Sequence, residues 1–312
     1  MNAELKKAYL AALGYTLIIG LSFLFVKIAL RSAEPLDILA HRFTFSFLAV
    51  LIPLLSGHLR LRIDWRRDLP ALLPLALFYP VLFFAFQVFG LVHTSTSEAG
   101  IIQATIPILT MILAAIFLGE RTGGWQLAAS LLSVAGVIFI FAMKGLELSG
   151  DALLGGVFIL LSALSFALYS VGARRACQRM DVLSVTCVMI GVGFIAFNAV
   201  ALGRHTLSGS LPVYFAPLSD WHFVAAVLYL GVLSSLVTSY LSNYTLARLE
   251  ASKNSMFANL ATLITIVAGV LVLGEKLEWY HLAGGAAIIA GVIGRNFLPA
   301  PKRASTHNPP HK

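Results

Sequence analysis

Three ionisable side chains fall in or beside long apolar runs: Lys27, Arg42 and Glu98. Ions at membrane depth are costly and tend to face a cavity or one another. Uncharged polar residues lie in similar surroundings: Ser22, Gln87, Gln103, Tyr240, Asn243 and Asn259. An amide both donates and accepts hydrogen bonds, which suits a zwitterion or a neutral polar metabolite. Facing one cavity, these six would form a substrate-binding surface. Taken singly, each is as well explained by bonds between helices, worth about 0.6 kcal/mol apiece in membranes. Covalent chemistry finds little support. None of the eight histidines stands in a His-Glu-x-x-His pattern. The acids lie at the ends of apolar runs or between them, so no facing pair sits at depth; His41 and His93 have no evident nucleophile. Cys177 and Cys187 form no metal-type cluster with histidine and read as reduced thiols.

The elements that must position these side chains are membrane spans. Only 12% of the 312 residues are charged, 59% are hydrophobic, and the mean hydropathy is +0.88. An average soluble domain carries roughly a quarter charged residues. Ten apolar runs are each long enough to cross a hydrocarbon core of about 30 Å. They cover Ala8–Leu30, Leu36–Ser56, Leu69–Val92, Ser95–Phe117 and Gly124–Met143, then Ala152–Ala173, Val182–Leu202, Trp221–Leu246, Ser252–Leu273 and Trp279–Phe297. Backbone polar groups in lipid must bond within their own segment, so helices are expected. The period-2 polarity of a membrane barrel is absent. The reading is an all-α polytopic membrane protein.

Orientation follows from the basic residues. With the N-terminus, the even-numbered loops and the tail taken as one side, that side holds sixteen of the 22 Lys and Arg. The bias places both termini in the cytoplasm of a cell whose plasma or inner membrane holds the chain. The formal charge of +8 is therefore a topology signal rather than a nucleic-acid surface. Ala8–Leu30 is too long for a signal-peptide core and is expected to stay as the first span. Residues 298–312, polar and Pro-rich, are expected to form a disordered cytoplasmic tail.

A long helical hairpin occurs twice. Leu118-Gly119-Glu120-Arg121 separates two apolar runs, and so does Leu273-Gly274-Glu275-Lys276, 155 residues on. Trp125 then matches Tyr280, and Gly136 matches Gly291. Such a repeat indicates duplication, and in membranes it points to a transporter with its site between the halves. The repeats are residues 8–143 and 152–297. Five spans each is an odd number, so the second enters the membrane inverted.

These residues resemble the drug/metabolite transporter superfamily, EamA type. The resemblance rests on Ile19 through Lys27, Glu34-Pro35 and Arg42, on Ala104-Thr105-Ile106-Pro107, and on the Gly-Glu-Arg and Gly-Glu-Lys turns. It implies ten transmembrane helices in two inverted five-helix repeats. Helices one to four and six to nine would line a central cavity, with five and ten as a peripheral scaffold. It also implies small-metabolite transport, often export of amino acids or their relatives, and no cofactor. The chain departs from the family pattern twice: Ile19 stands where a tryptophan is common, and Leu260-Ala261-Thr262 replaces a Pro-containing turn.

Within that frame, Lys27, Arg42 and Glu98 sit near the outer ends of their helices. They either form an outer gate, with Glu98 or Asp37 pairing a cation, or snorkel and complement a helix dipole. Pro80 and Pro107 can act as hinges or as static kinks. Helix three is heavily aromatic through Phe78, Tyr79, Phe83, Phe84 and Phe86. Glu120 and Glu275 are expected to cap helices five and ten. Ala287 with Gly291, and Ala290 with Gly294, suit internal packing or a homodimer face. With no acid deep in a span, exchange or facilitated diffusion is expected, with Glu98 as the one proton site. The expected partners are a small-molecule substrate and the lipid bilayer, not nucleic acid. Efflux of drugs or cationic compounds is the alternative cargo; a channel or sensor is the alternative class.

Overall fold

The computed structural model describes residues 3–93, 102–120, 122–144, 150–273 and 278–297. Arg121, the Gly274-Glu275-Lys276 turn and residues 298–312 lie outside them. The described chain is helical. In order come α1 (Ala3–Ala29), α2 (Pro35–Leu55), α3 (Trp65–Ala76), α4 (Phe83–His93), α5 (Ile106–Leu118), α6 (Gly124–Lys144) and α7 (Gly150–Arg179). Then follow α8 (Val182–Leu207), α9 (Leu211–Phe215), α10 (Trp221–Leu228), α11 (Thr238–Arg248), α12 (Ala251–Ser255), α13 (Phe257–Leu273) and α14 (Trp279–Phe297).

Six described helical stretches are long and apolar enough to cross a membrane: Ala3–Val26, Pro35–Leu55, Trp65–Gly90, Leu153–Arg179, Val182–Leu207 and Trp221–Arg248. Ile106–Leu118 and Gly124–Ile140 are shorter apolar helices. Their surfaces are inverted relative to a soluble protein. Thr16, Ser46, Thr110, Ser162, Thr186, Ser239 and Asn243 are buried, whereas Ile116, Leu153, Ile195 and Leu271 are exposed. Lipid accepts exposed leucine without penalty, and polar side chains glue helices together. The protein is a multi-pass membrane protein. Both cysteines are buried free thiols.

Local chemistry sets the helix ends. Asp64 accepts from the Arg66 and Arg67 amides to start α3, Asp181 from the Ser184 amide to start α8, and Asp220 from the His222 amide to start α10. Gly119 ends α5 at φ +66°, a left-handed conformation that favours glycine. The third and eighth apolar runs are not regular helices. The third is broken by a kink within Leu77–Leu82, and the eighth carries a wide, π-type turn at Tyr229–Val237. At the kink Tyr79 is extended (φ −143°, ψ 121°) before Pro80, as the residue preceding a proline prefers. The fourth run, expected as one helix, breaks at Ala104–Thr105, and Pro107 occupies the first turn of α5. The ninth breaks at Met256, between α12 and α13.

Packing pairs one half with the other. α1 lies against α13 and α11, and α7 lies against α5 and α4. α2 packs on α8, and α6 on α14. Exchanging the halves leaves this pattern unchanged. The α6–α14 seam is tight because it is built on glycines. A Cβ on Gly136 would stand 2.7 Å from the Gly284 carbonyl oxygen, and one on Gly291 would stand 2.5 Å from that of Ala129. The small-residue stripe at Ala287 and Gly291 is thus used inside the protein.

Gly136→Ala should lower the thermal unfolding midpoint in detergent, since overpacking typically costs about 1–3 kcal/mol. Gly124→Ala, where an added Cβ meets nothing within 4 Å, should leave it unchanged. Equal midpoints for the two variants would contradict the seam.

Candidate functional site

Arg42 projects from α2 into the bundle and is 7% exposed. Its Nε donates to Ser235 Oγ (2.6 Å), and Nη2 donates to the carbonyl and the hydroxyl of Ser234 (both 3.2 Å). The guanidinium carbon lies 4.6 Å from the centre of the Phe84 ring, a cation–π distance. Both serines belong to the wide turn Tyr229–Val237. Wide turns loosen the regular ladder of backbone bonds, and here the Ser234 carbonyl serves both Arg42 and the Thr238 hydroxyl.

The kink in the third run supplies the next contacts of the site. Tyr79 places its hydroxyl 3.3 Å from Ser239 Oγ and its ring 5.6 Å from Phe84 and 4.8 Å from Tyr169. The Tyr169 hydroxyl donates to Asn243 Oδ1 (2.6 Å), and Asn243 Nδ2 donates to Thr186 Oγ1 (3.1 Å). A continuous polar and aromatic seam therefore runs from Ser235 through Arg42, Phe84, Tyr79 and Tyr169 to Asn243 and Thr186. It joins side chains from both halves. Such an arrangement can hold hydrogen-bonding and charged groups against flat apolar surfaces; it contains no activated nucleophile.

Of the residues expected from sequence, Arg42 and Asn243 meet in this seam, with Pro80 buried at its kink. Arg42 does not snorkel. Ser22 donates to the carbonyl of Ile19 in its own helix, and Asn259 donates to Ser133 Oγ on α6. Gln87 and Gln103 are half-buried, and Tyr240 is exposed with its ring 6.4 Å from Tyr244. Glu98 and the side chain of Lys27 lie outside the described residues. Tyr169, Thr186, Ser234, Ser235 and Ser239 escaped the sequence reading. The repeat offset held a signal: 155 residues takes Tyr79 to Ser234 and Phe84 to Ser239.

Charged clusters close the two ends of the bundle. At one, buried Asp37 lies 3.1 Å from Arg204 Nη2 and 3.1 Å from His205 Nε2, and Arg204 also binds Glu34. His41, one turn along from Asp37, reaches the Tyr214 carbonyl oxygen (2.9 Å) and stacks on its ring. At the same end the Ser32 hydroxyl, then the His222 amide, hold the Asp220 carboxyl below the usual carboxylate range. Its cap is therefore kept at neutral pH and lost only as pH falls through that depressed value.

At the other end Glu120 corrects an expectation. Among the described residues its carboxylate bonds none of the amides that open the helix after it. Its carboxylate accepts from the Ala251 amide (2.8 Å), the Ser252 amide (3.3 Å) and the Ser252 hydroxyl (2.7 Å), while Arg174 Nε lies 3.3 Å away. Glu120 is the N-terminal cap of α12, supplied from 131 residues upstream in sequence.

Comparison with known proteins gives this geometry its context. The profile of the EamA-like transporter family matches residues 6–142 and again 153–297. The chain is 55% identical to the uncharacterized transporter YcxC of Bacillus subtilis (strain 168), over 93% of this chain and 92% of that protein. It is 28% identical to a probable terminal-alkyne amino-acid exporter of Streptantibioticus cattleyicolor, over 83% of this chain and 84% of that one. A solved crystal structure shares the fold with a TM-score of 0.76, covering 94% of this chain and 99% of its own at 20% identity. The chain belongs to the EamA-like transporter family. It is a transporter, not an enzyme.

Glu120→Ala should lower the thermal midpoint, because it strands two backbone donors and the Arg174 charge; unsatisfied buried donors cost about 1–3 kcal/mol each. Glu120→Asp should recover part of the loss. If Glu120→Ala unfolds like wild type, the carboxylate does not tie α12 to the turn after α5.

Proposed function

We propose that this transporter exports small polar metabolites, amino acids or their relatives, by alternating access. The observation that carries the reading is the polar seam through Arg42, Tyr79, Tyr169 and Asn243. It lies inside an otherwise apolar bundle and draws on both halves. Hydrogen-bonding side chains gathered between repeats are where substrate sites occur in transporters of this kind. A relative named as an amino-acid exporter supports the cargo class.

The proposed architecture is ten spans in two inverted five-helix repeats, residues 8–143 and 152–297. The half-exchanged packing, and the helix irregularities at matching places in the third and eighth runs, support it. Both termini are assigned to the cytoplasmic side of the plasma or inner membrane by the Lys and Arg bias. On that orientation Glu120 lies at the cytoplasmic end and Asp37 at the outer end. Lys27, Glu98 and Arg42 keep their proposed place near the outer pathway, with Asp37 and Arg204 as a further ion pair there. Ser22, Gln87, Gln103, Tyr240 and Asn259 stay as proposed cargo contacts beside Asn243, and Pro80 and Pro107 as proposed hinges. A fixed positive charge in the seam disfavours cationic drugs as cargo, since like charges at low dielectric repel strongly.

Proteoliposomes preloaded with a mixture of amino acids and other small metabolites should show saturable counterflow of a short list of compounds, read by mass spectrometry. Asn243→Ala should reduce that exchange at least about tenfold, the loss expected when a hydrogen bond in the transport site is removed. Absence of exchange by folded, inserted protein would defeat the proposal.

A further inference from the structure

We infer that Arg42 is the site of a carboxylate carried by the cargo. The inference rests on the transport reading above and sharpens its substrate class to anions and zwitterions bearing a carboxylate. Its basis is a comparison among the arginines. Arg174 has Glu120 within 3.3 Å, Arg204 has Asp37 and Glu34, and Arg295 has Glu250 within 3.8 Å. Each buried or half-buried arginine among the described residues thus has a carboxylate, with Arg42 as the exception. Its partners are two serines and an aromatic ring.

A buried cation of this kind is stable only with a counter-charge or a full set of hydrogen bonds. Arg42 has neither among the described residues. Of the five guanidinium N–H donors, Nε and Nη2 are engaged, whereas the two on Nη1 bond to no described residue. One turn along α2, the buried Ser46 hydroxyl is also without a hydrogen-bond partner. A planar carboxylate matches the guanidinium fork, and binding it would supply the missing charge. The ring of Phe84 and the hydroxyls of Ser234 and Ser235 fix the guanidinium before the anion arrives. The charge is held ready by neutral groups that an incoming carboxylate outcompetes.

The experiment compares acids with their neutral counterparts. Wild-type protein, Arg42→Lys, Arg42→Gln and Ser235→Ala are reconstituted for counterflow. The same proteins in detergent are followed by thermal unfolding. The probes are a mixture of the common amino acids, the matching mixture of amino-acid amides, and inorganic phosphate. Wild type should exchange acids at least tenfold faster than amides, and acids should raise its unfolding midpoint. Arg42→Gln should lose both effects, Arg42→Lys should keep part, and Ser235→Ala should raise KM with little change in maximal rate. Equal exchange of acids and amides by wild type would overturn the inference while leaving the transporter reading intact. So would undiminished acid exchange by folded Arg42→Gln, or stabilisation by phosphate alone. If Arg42→Gln does not fold, the acid–amide comparison on wild type decides. Stabilisation by acids that needs Arg42, without exchange, would uphold the site and defeat the proposed transport of amino acids. Neither exchange nor stabilisation would overturn both.

Discussion

Inside this bundle a polar group has no solvent to fall back on, and that constraint organises the structure. A donor or acceptor left without a partner in protein is costly, so a single buried guanidinium dictates much around it. Arg42 needs acceptors, and the wide turn Tyr229–Val237 brings two serine hydroxyls and a shared carbonyl to it. Phe84 must face the cation, which fixes α4 below the Tyr79 kink. Tyr79 then meets Tyr169, whose hydroxyl is used up on Asn243. The irregular parts of the helices and the polar residues are one system.

The two ends are held by different chemistry. Glu120 grips backbone amides as well as a side chain, so its bond depends on where α12 begins. Asp37 grips only side chains, those of Arg204 and His205 on α8. Both links join one half to the other. The glycine seam between α6 and α14 joins the halves a third time, and its backbones are too close for side chains to intervene.

The all-helical, multi-pass class was legible from apolar run length, because lipid leaves the backbone few options. The family followed from the same stretches. The seam was less legible. Arg42 and Asn243 were found as polar residues in apolar runs, but Tyr169 and Thr186 lie in helices where tyrosine and threonine are ordinary. Only the fold aligns them. Asn259 carries the same amide as Asn243 yet bonds Ser133 on α6, since which face of a helix turns inward depends on tertiary packing. Glu120 misled for a related reason: a carboxylate just before a helix reads as its cap, and sequence proximity hides a partner 131 residues away.

The wide turn at Tyr229–Val237 makes chain length itself part of the specification. A π-type turn amounts to one residue inserted into an α-helix, and each residue of an α-helix advances about 100°. Removing one residue from Tyr229–Val237 would let the helix run regularly from α10 into α11. Everything after it would then rotate by about that angle, carrying Ser239 and Asn243 away from Tyr79 and Tyr169. Substitutions at the lipid-facing positions of this stretch leave its phase intact, whereas a single-codon deletion would erase it. In lineages that keep the seam, gaps should be rarer here than amino-acid changes.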